Sequence, residues 1–150
     1  MGFTLLEALC ALTMASVLAS YALPVYTEYT AHAHRTAAML ALGRAGQYVE
    51  ARRMIRAASS KALTRDEIEF AVDADTERLP KEFAQVPVGA VRPVYRLTVS
   101  ILSPDDYRID AVPATDGPMH HDPCGVLSVD ASGQVSTSGP LGADACFKWK

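Results

Sequence analysis

The stretch ALCALTMASVLASYALPVYT, Ala8 to Thr27, runs without a charge between Glu7 and Glu28. As a helix rising ~1.5 Å per residue, these residues span about 30 Å, the thickness of a bilayer's hydrocarbon core. Nothing in the pattern ends the helix at Glu28. From Tyr29 to Arg56 good helix formers predominate, and the apolar positions Ala38, Leu42, Ala45 and Val49 recur at helical spacing. One rod of roughly 80 Å is therefore predicted over residues 3–56, with a membrane-spanning half over 3–28 and an amphipathic half over 29–56. Pro24 should kink the rod or melt it locally, because its ring crowds the preceding turn and it has no N–H to donate. Gly43 and Gly46 each cost about 1 kcal/mol in an isolated helix, so the second half is expected to lean on another surface.

The rest of the composition fits one domain with an appendage. The chain has 150 residues, 49% hydrophobic and 21% charged, which argues against wholesale disorder, and a net charge of −3 gives no reason to expect a nucleic-acid partner. Charge is unevenly placed. Residues 35–56 hold five arginines against one glutamate, whereas 57–150 hold nine bases and fourteen acids. The order is an apolar rod, a basic collar and an acidic head. Arg52, Arg53 and Arg56 suit the negative end of a helix dipole.

The apolar half has an organised face. Ala8, Ala11, Ala15, Ala19 and Ala22 fall within roughly 80° of helix circumference, and a stripe of small residues lets another helix backbone approach closely in lipid. A single-pass anchor that is merely alanine-rich is the plainer alternative. A cleaved secretory signal is another, with Ser20-Tyr21-Ala22 as its cleavage site, but the charged n-region is missing and the apolar run is long. Glu7 stands at the lip of the span, where a carboxylate is expensive unless it meets a cation; an interfacial acid favoured by the helix dipole is the simpler account.

Gly2-Phe3-Thr4-Leu5-Leu6-Glu7, with the apolar run behind it, resembles the processing site of type IV prepilins and their type II secretion relatives. The resemblance implies cleavage after Gly2 by a membrane prepilin peptidase and N-methylation of Phe3, residues 1–2 being a leader remnant. It also implies that Glu7 pairs with the free amine of a neighbouring subunit's Phe3 during assembly, and that Pro24 is the family's kinking proline. Tyr26 and Tyr29 stand where many pilins carry tyrosines. Family leaders carry a base before the glycine and this chain offers Met1-Gly2, so a longer leader is expected. Taken alone, the positive-inside rule would put Arg35 and Arg44 in the cytoplasm. The cysteines point the other way.

Cys10 lies in the apolar helix and reads as a small hydrophobe. Cys124 and Cys146 share the head, residues 57–150, where an oxidising compartment would join them and a cytosolic one would leave two thiols. Closing that loop would contribute roughly 3 kcal/mol by the chain-entropy estimate. Pilin heads often close a carboxy-terminal loop in this way, so the resemblance implies the disulfide and a periplasmic head. Thr64-Arg65-Asp66-Glu67 is a capping box ahead of Ile68, Phe70 and Ala71, and a short helix is expected there. Leu79-Pro80 and Val86-Pro87 mark a connecting stretch. Two hairpins follow, Val94 to Leu102 with Tyr107 to Val112, then Val126 to Val129 with Gln134 to Ser136 across Ala131-Ser132-Gly133. The fold expected is α+β and pilin-like, the long helix packed on a four-stranded antiparallel sheet. The ending, Cys146-Phe147-Lys148-Trp149-Lys150, is similar to that of PilE-type minor pilins.

No phosphate-binding glycine loop, zinc helix, nucleophile elbow or C-x-x-C motif occurs, and no enzymatic activity or cofactor is expected. His120-His121-Asp122 is the one cluster with metal-ligand chemistry, and it reads as a solvated loop, not a metal site. His32 and His34, just past the span, are expected to face water or a neighbour. The arginine collar is expected to pair with acidic groups of adjacent subunits. The function implied is a structural, minor subunit of a type IV pilus, stored in the bacterial inner membrane and assembled by helix packing into an extracellular filament that serves adhesion and twitching motility. Its expected partners are other major and minor pilins, the prepilin peptidase and the inner-membrane assembly platform. The alternatives are a type II secretion pseudopilin and a membrane-anchored periplasmic binding or enzymatic domain.

Overall fold

The structure, a computed structural model, describes residues 4–60, 79–103 and 106–147. Helix α1 runs from Leu5 to Ser60. Strands β1 (Gln85–Val86), β2 (Tyr95–Ser103), β3 (Asp106–Pro113), β4 (Leu127–Asp130) and β5 (Val135–Thr137) follow, then the short helix α2 (Gly142–Phe147). The chain divides into two compact units, Met1–Ala33 and His34–Lys150.

Thr4 starts α1: its hydroxyl accepts the Glu7 N–H at 3.3 Å and its carbonyl accepts the Ala8 N–H, so one otherwise unpaired donor of the first turn is capped. Thr4-Leu5-Leu6-Glu7 has capping-box spacing. The helix continues through Pro24 without a break. It also runs one turn beyond Arg56, so its last turn contains no base and the three arginines stand ahead of the end they were expected to complement.

In the second unit the helix presents Ala38, Leu42, Ala45 and Val49, each no more than 4% exposed, to an antiparallel sheet. These are the four positions singled out by spacing. The sheet answers with Tyr95, Leu97 and Val99 from β2, Tyr107, Ile109 and Ala111 from β3, and Leu127 from β4, all buried. Strict alternation puts Arg96, Thr98, Ser100 and Arg108 on the outer face. Burying a Leu or Ile side chain contributes about 1.5–3 kcal/mol, and this layer holds the helix on the sheet.

Among the described residues the sheet has five strands, not four, in the order β1-β2-β3-β4-β5, so each of these strands pairs with its neighbours in the chain. Both expected hairpins are present, joined through Ile109↔Val129. The added strand is β1, where Gln85 pairs with Arg96 and Val86 with Tyr95, in a stretch expected to be only a connection. It is two residues long and stops at Pro87, which has no N–H for a ladder. A register shift between Ile101 and Ser103 ends the β2–β3 pairing irregularly. The β4–β5 turn is built on Asp130, whose Oδ1 accepts from the Ser132 N–H and hydroxyl and from the Gln134 N–H, with Gly133 at φ 79°. The expected helix after Thr64 and the tail Lys148-Trp149-Lys150 lie outside the described residues.

Candidate functional site

Residues 4–29 are exposed along their whole length. Leu5 is 80% exposed, Leu12 67%, Leu18 70% and Tyr21 75%. The most apolar window has a mean hydropathy of 1.8, and none of it is buried within the chain; by length and composition this helix can anchor in a membrane. Four of its hydroxyls are already spoken for. The hydroxyls of Thr13, Ser16, Ser20 and Thr27 donate to the carbonyls of Cys10, Thr13, Val17 and Pro24 at 2.7–2.8 Å, which leaves an outer surface that demands little water. Ala8, Ala11, Ala15, Ala19 and Ala22 all lie on this bare surface, as does Glu7. Leu18, Tyr21, Ala22, Val25, Tyr26 and Tyr29 line a shallow apolar strip beside them. Gly2 and Phe3 lie outside the described residues.

In the second unit Cys124 and Cys146 are joined, with Cα atoms 5.9 Å apart. Both are buried, and Cys10 is a free, exposed thiol. The disulfide ties α2 to the loop before β4. Beside it, the Gly139 N–H donates to the Cys124 carbonyl at 3.0 Å and the Ser138 N–H to the Val126 carbonyl. That approach requires glycine: a Cβ on Gly139 would run into the Pro123 carbonyl and the Cys124 backbone.

Asp122 does not lie in a solvated loop. Arg35 of α1 grips it with two prongs, Nε to Oδ2 at 3.1 Å and Nη2 to Oδ1, and the two side chains are 9% and 2% exposed. A two-pronged guanidinium–carboxylate pair is the geometry in which buried charges are best compensated. The hydroxyl of Tyr95 is buried without a hydrogen-bond partner among the described residues. Burial pushes its pKa well above the ordinary phenol value; the Asp122 charge pushes the same way and Arg35 opposes it. His120 and His121 remain exposed, their rings 4.5 Å apart.

The arginine collar is also partly engaged within the chain. Arg53 bonds Glu50 at 3.2 Å and stands 5.6 Å from the centre of the Tyr107 ring, while Arg52 stands 5.8 Å from that of Tyr48. Tyr48 packs in turn against Phe83, with ring centres 5.2 Å apart. Burial raises the Tyr107 pKa, and its hydrogen bond with Glu50 adds to the shift. Nothing in the spacing of Arg35 or Asp122 announced their pairing across 87 residues of chain. Comparison with protein-family models and with curated proteins finds no match.

Proposed function

We propose that this chain is a structural subunit of a type IV pilus, of the minor kind, with no catalytic role. It is held in the bacterial inner membrane by α1, with its head in the periplasm, and is then drawn into an extracellular filament. The supporting observation is a helix whose uncharged residues 8–27 are bare, with the hydroxyls of Thr13, Ser16, Ser20 and Thr27 bonded to its own carbonyls, directly behind a sequence that resembles a prepilin processing site. Lipid covers such a surface before assembly, and the helices of sister subunits cover it afterwards. The stripe of Ala8, Ala11, Ala15, Ala19 and Ala22 allows close approach, and Glu7 guides docking onto the amine of a neighbour's Phe3. Other pilins, the prepilin peptidase and the inner-membrane assembly platform are the partners this role requires, and adhesion and twitching motility are the activities it serves.

Mass spectrometry of the mature protein tests the proposal. A chain beginning at N-methylated Phe3 and recovered in sheared surface fibres is the expected result. A start at Leu23, or an unprocessed chain never found in a polymer, would overturn it. A processed chain absent from sheared fibres but required for protein secretion would place it among the type II pseudopilins.

A further inference from the structure

The loop of residues 114–126 contains no strand or helix of its own. Within it the backbone makes a run of tight turns, from the Gly117 N–H to the Ala114 carbonyl, His120 to Gly117, Asp122 to Met119 and Gly125 to Asp122. It is tied outward by the Ala114 N–H to the Val94 carbonyl, the Gly139 N–H to the Cys124 carbonyl and the Ser138 N–H to the Val126 carbonyl. Side chains and one cross-link anchor it further. Met119 is buried, Asp122 is held by Arg35 of α1, and Cys124 is bonded to Cys146 of α2. Asp122 and Cys124 are two residues apart, so the backbone position that lets the carboxylate reach Arg35 also sets where the Cys124 sulfur lies. The turn closed by the Gly125 N–H on the Asp122 carbonyl, at 2.9 Å, spans both residues and makes them one short lever.

We propose that the Arg35–Asp122 pair and the Cys124–Cys146 disulfide form a single coupled latch, in which the ion pair places Cys124 for closure onto Cys146 and closure in turn holds Asp122 on Arg35. Coupling of this kind is reciprocal: whatever factor the pair contributes to the disulfide, the disulfide returns to the pair. A dithiol reduces the bond by attacking one sulfur and then resolving the mixed disulfide, which leaves Cys124 and Cys146 as thiols and the reductant as a cyclic disulfide. Once the bond is open, the Cys124 end of the lever loses its covalent hold and keeps the Gly139 N–H on its carbonyl, and the carboxylate leaves the guanidinium more often. A pair that only stabilised the head would act equally on its oxidised and reduced forms and would leave the thiol–disulfide equilibrium unchanged. The latch stands independently of the pilus proposal.

The test uses the full chain in detergent micelles. Equilibrating Asp122→Asn in glutathione buffers should show the constant for closing the disulfide reduced about tenfold, within the range usual for coupled sites. A constant within about twofold of the wild type, in a folded variant, would overturn the latch. A second measurement needs no substitution: exchange of the Arg35 Nε–H proton, followed by NMR before and after dithiothreitol. At least tenfold faster exchange after reduction, with the β3 amides still protected, is expected. Unchanged exchange, or loss of protection throughout β3, would overturn the coupling.

Discussion

Tyr107 reaches from β3 toward Gly46 of α1: a Cβ placed on that glycine would stand 3.7 Å from the phenol oxygen and 4.0 Å from Cδ1 of Ile109. Both distances are ordinary van der Waals contacts, so the helix has room there for a methyl group and no more.

Alanine at Gly46 should therefore stabilise the head by about 0.5–1 kcal/mol, the usual helix gain over glycine. Gly43, with nothing within 4 Å, should gain a similar amount on substitution by alanine. Gly46→Leu should instead cost about 1–3 kcal/mol, because Tyr107 and Ile109 must move. Denaturant unfolding at constant m-value measures all three.

Tyr95→Phe removes a buried hydroxyl that has no partner among the described residues, so stability at neutral pH should hold or rise. The pH dependence follows from the raised folded-state pKa. The unfolded phenol ionises near its ordinary value of about 10, while the folded one stays protonated. The contribution of Tyr95 is complete below that value and is lost as pH rises through it toward the folded pKa. Thermal melts from pH 8 to 11.5 should show an alkaline fall in the wild type that is shallower in Tyr95→Phe.

Reducing the Cys124–Cys146 bond should cost roughly 3 kcal/mol, the chain-entropy value for a loop of this size. Limited proteolysis should then cut between β5 and α2 before it reaches β2 or β3. Cys124→Ser should behave in the same way.

Glu7→Ala should leave membrane insertion intact, since it removes a charge from the lip of the apolar helix. It should lower recovery of the subunit in sheared fibres severalfold. Recovery equal to wild type would remove Glu7 from the docking step.

Much of this architecture is legible in the residues themselves. Ala38, Leu42, Ala45 and Val49 mark the packed helix face because burial of one helical stripe follows the 3.6-residue period directly. The two hairpins were readable from alternation around Ser103-Pro104-Asp105 and Ala131-Ser132-Gly133. Strand β1 was not, because two residues before a proline carry no alternation to detect. The tie between Arg35 and Asp122 was equally silent: a distant ion pair leaves no local pattern, Asp122 reads as part of a solvated loop, and Arg35 reads as a partner for acids of adjacent subunits. Thr4 could have been found, since its spacing to Glu7 is that of a capping box.

The strand order has a consequence for how the head comes together. Among the described residues, each strand hydrogen-bonds to the one made just before or just after it. A chain delivered amino end first can thus zip up progressively, every new segment finding its mate already waiting, with little loop to close at each step. The disulfide needs Cys146, which follows every described strand, so oxidation seals work already done instead of directing it from the outset.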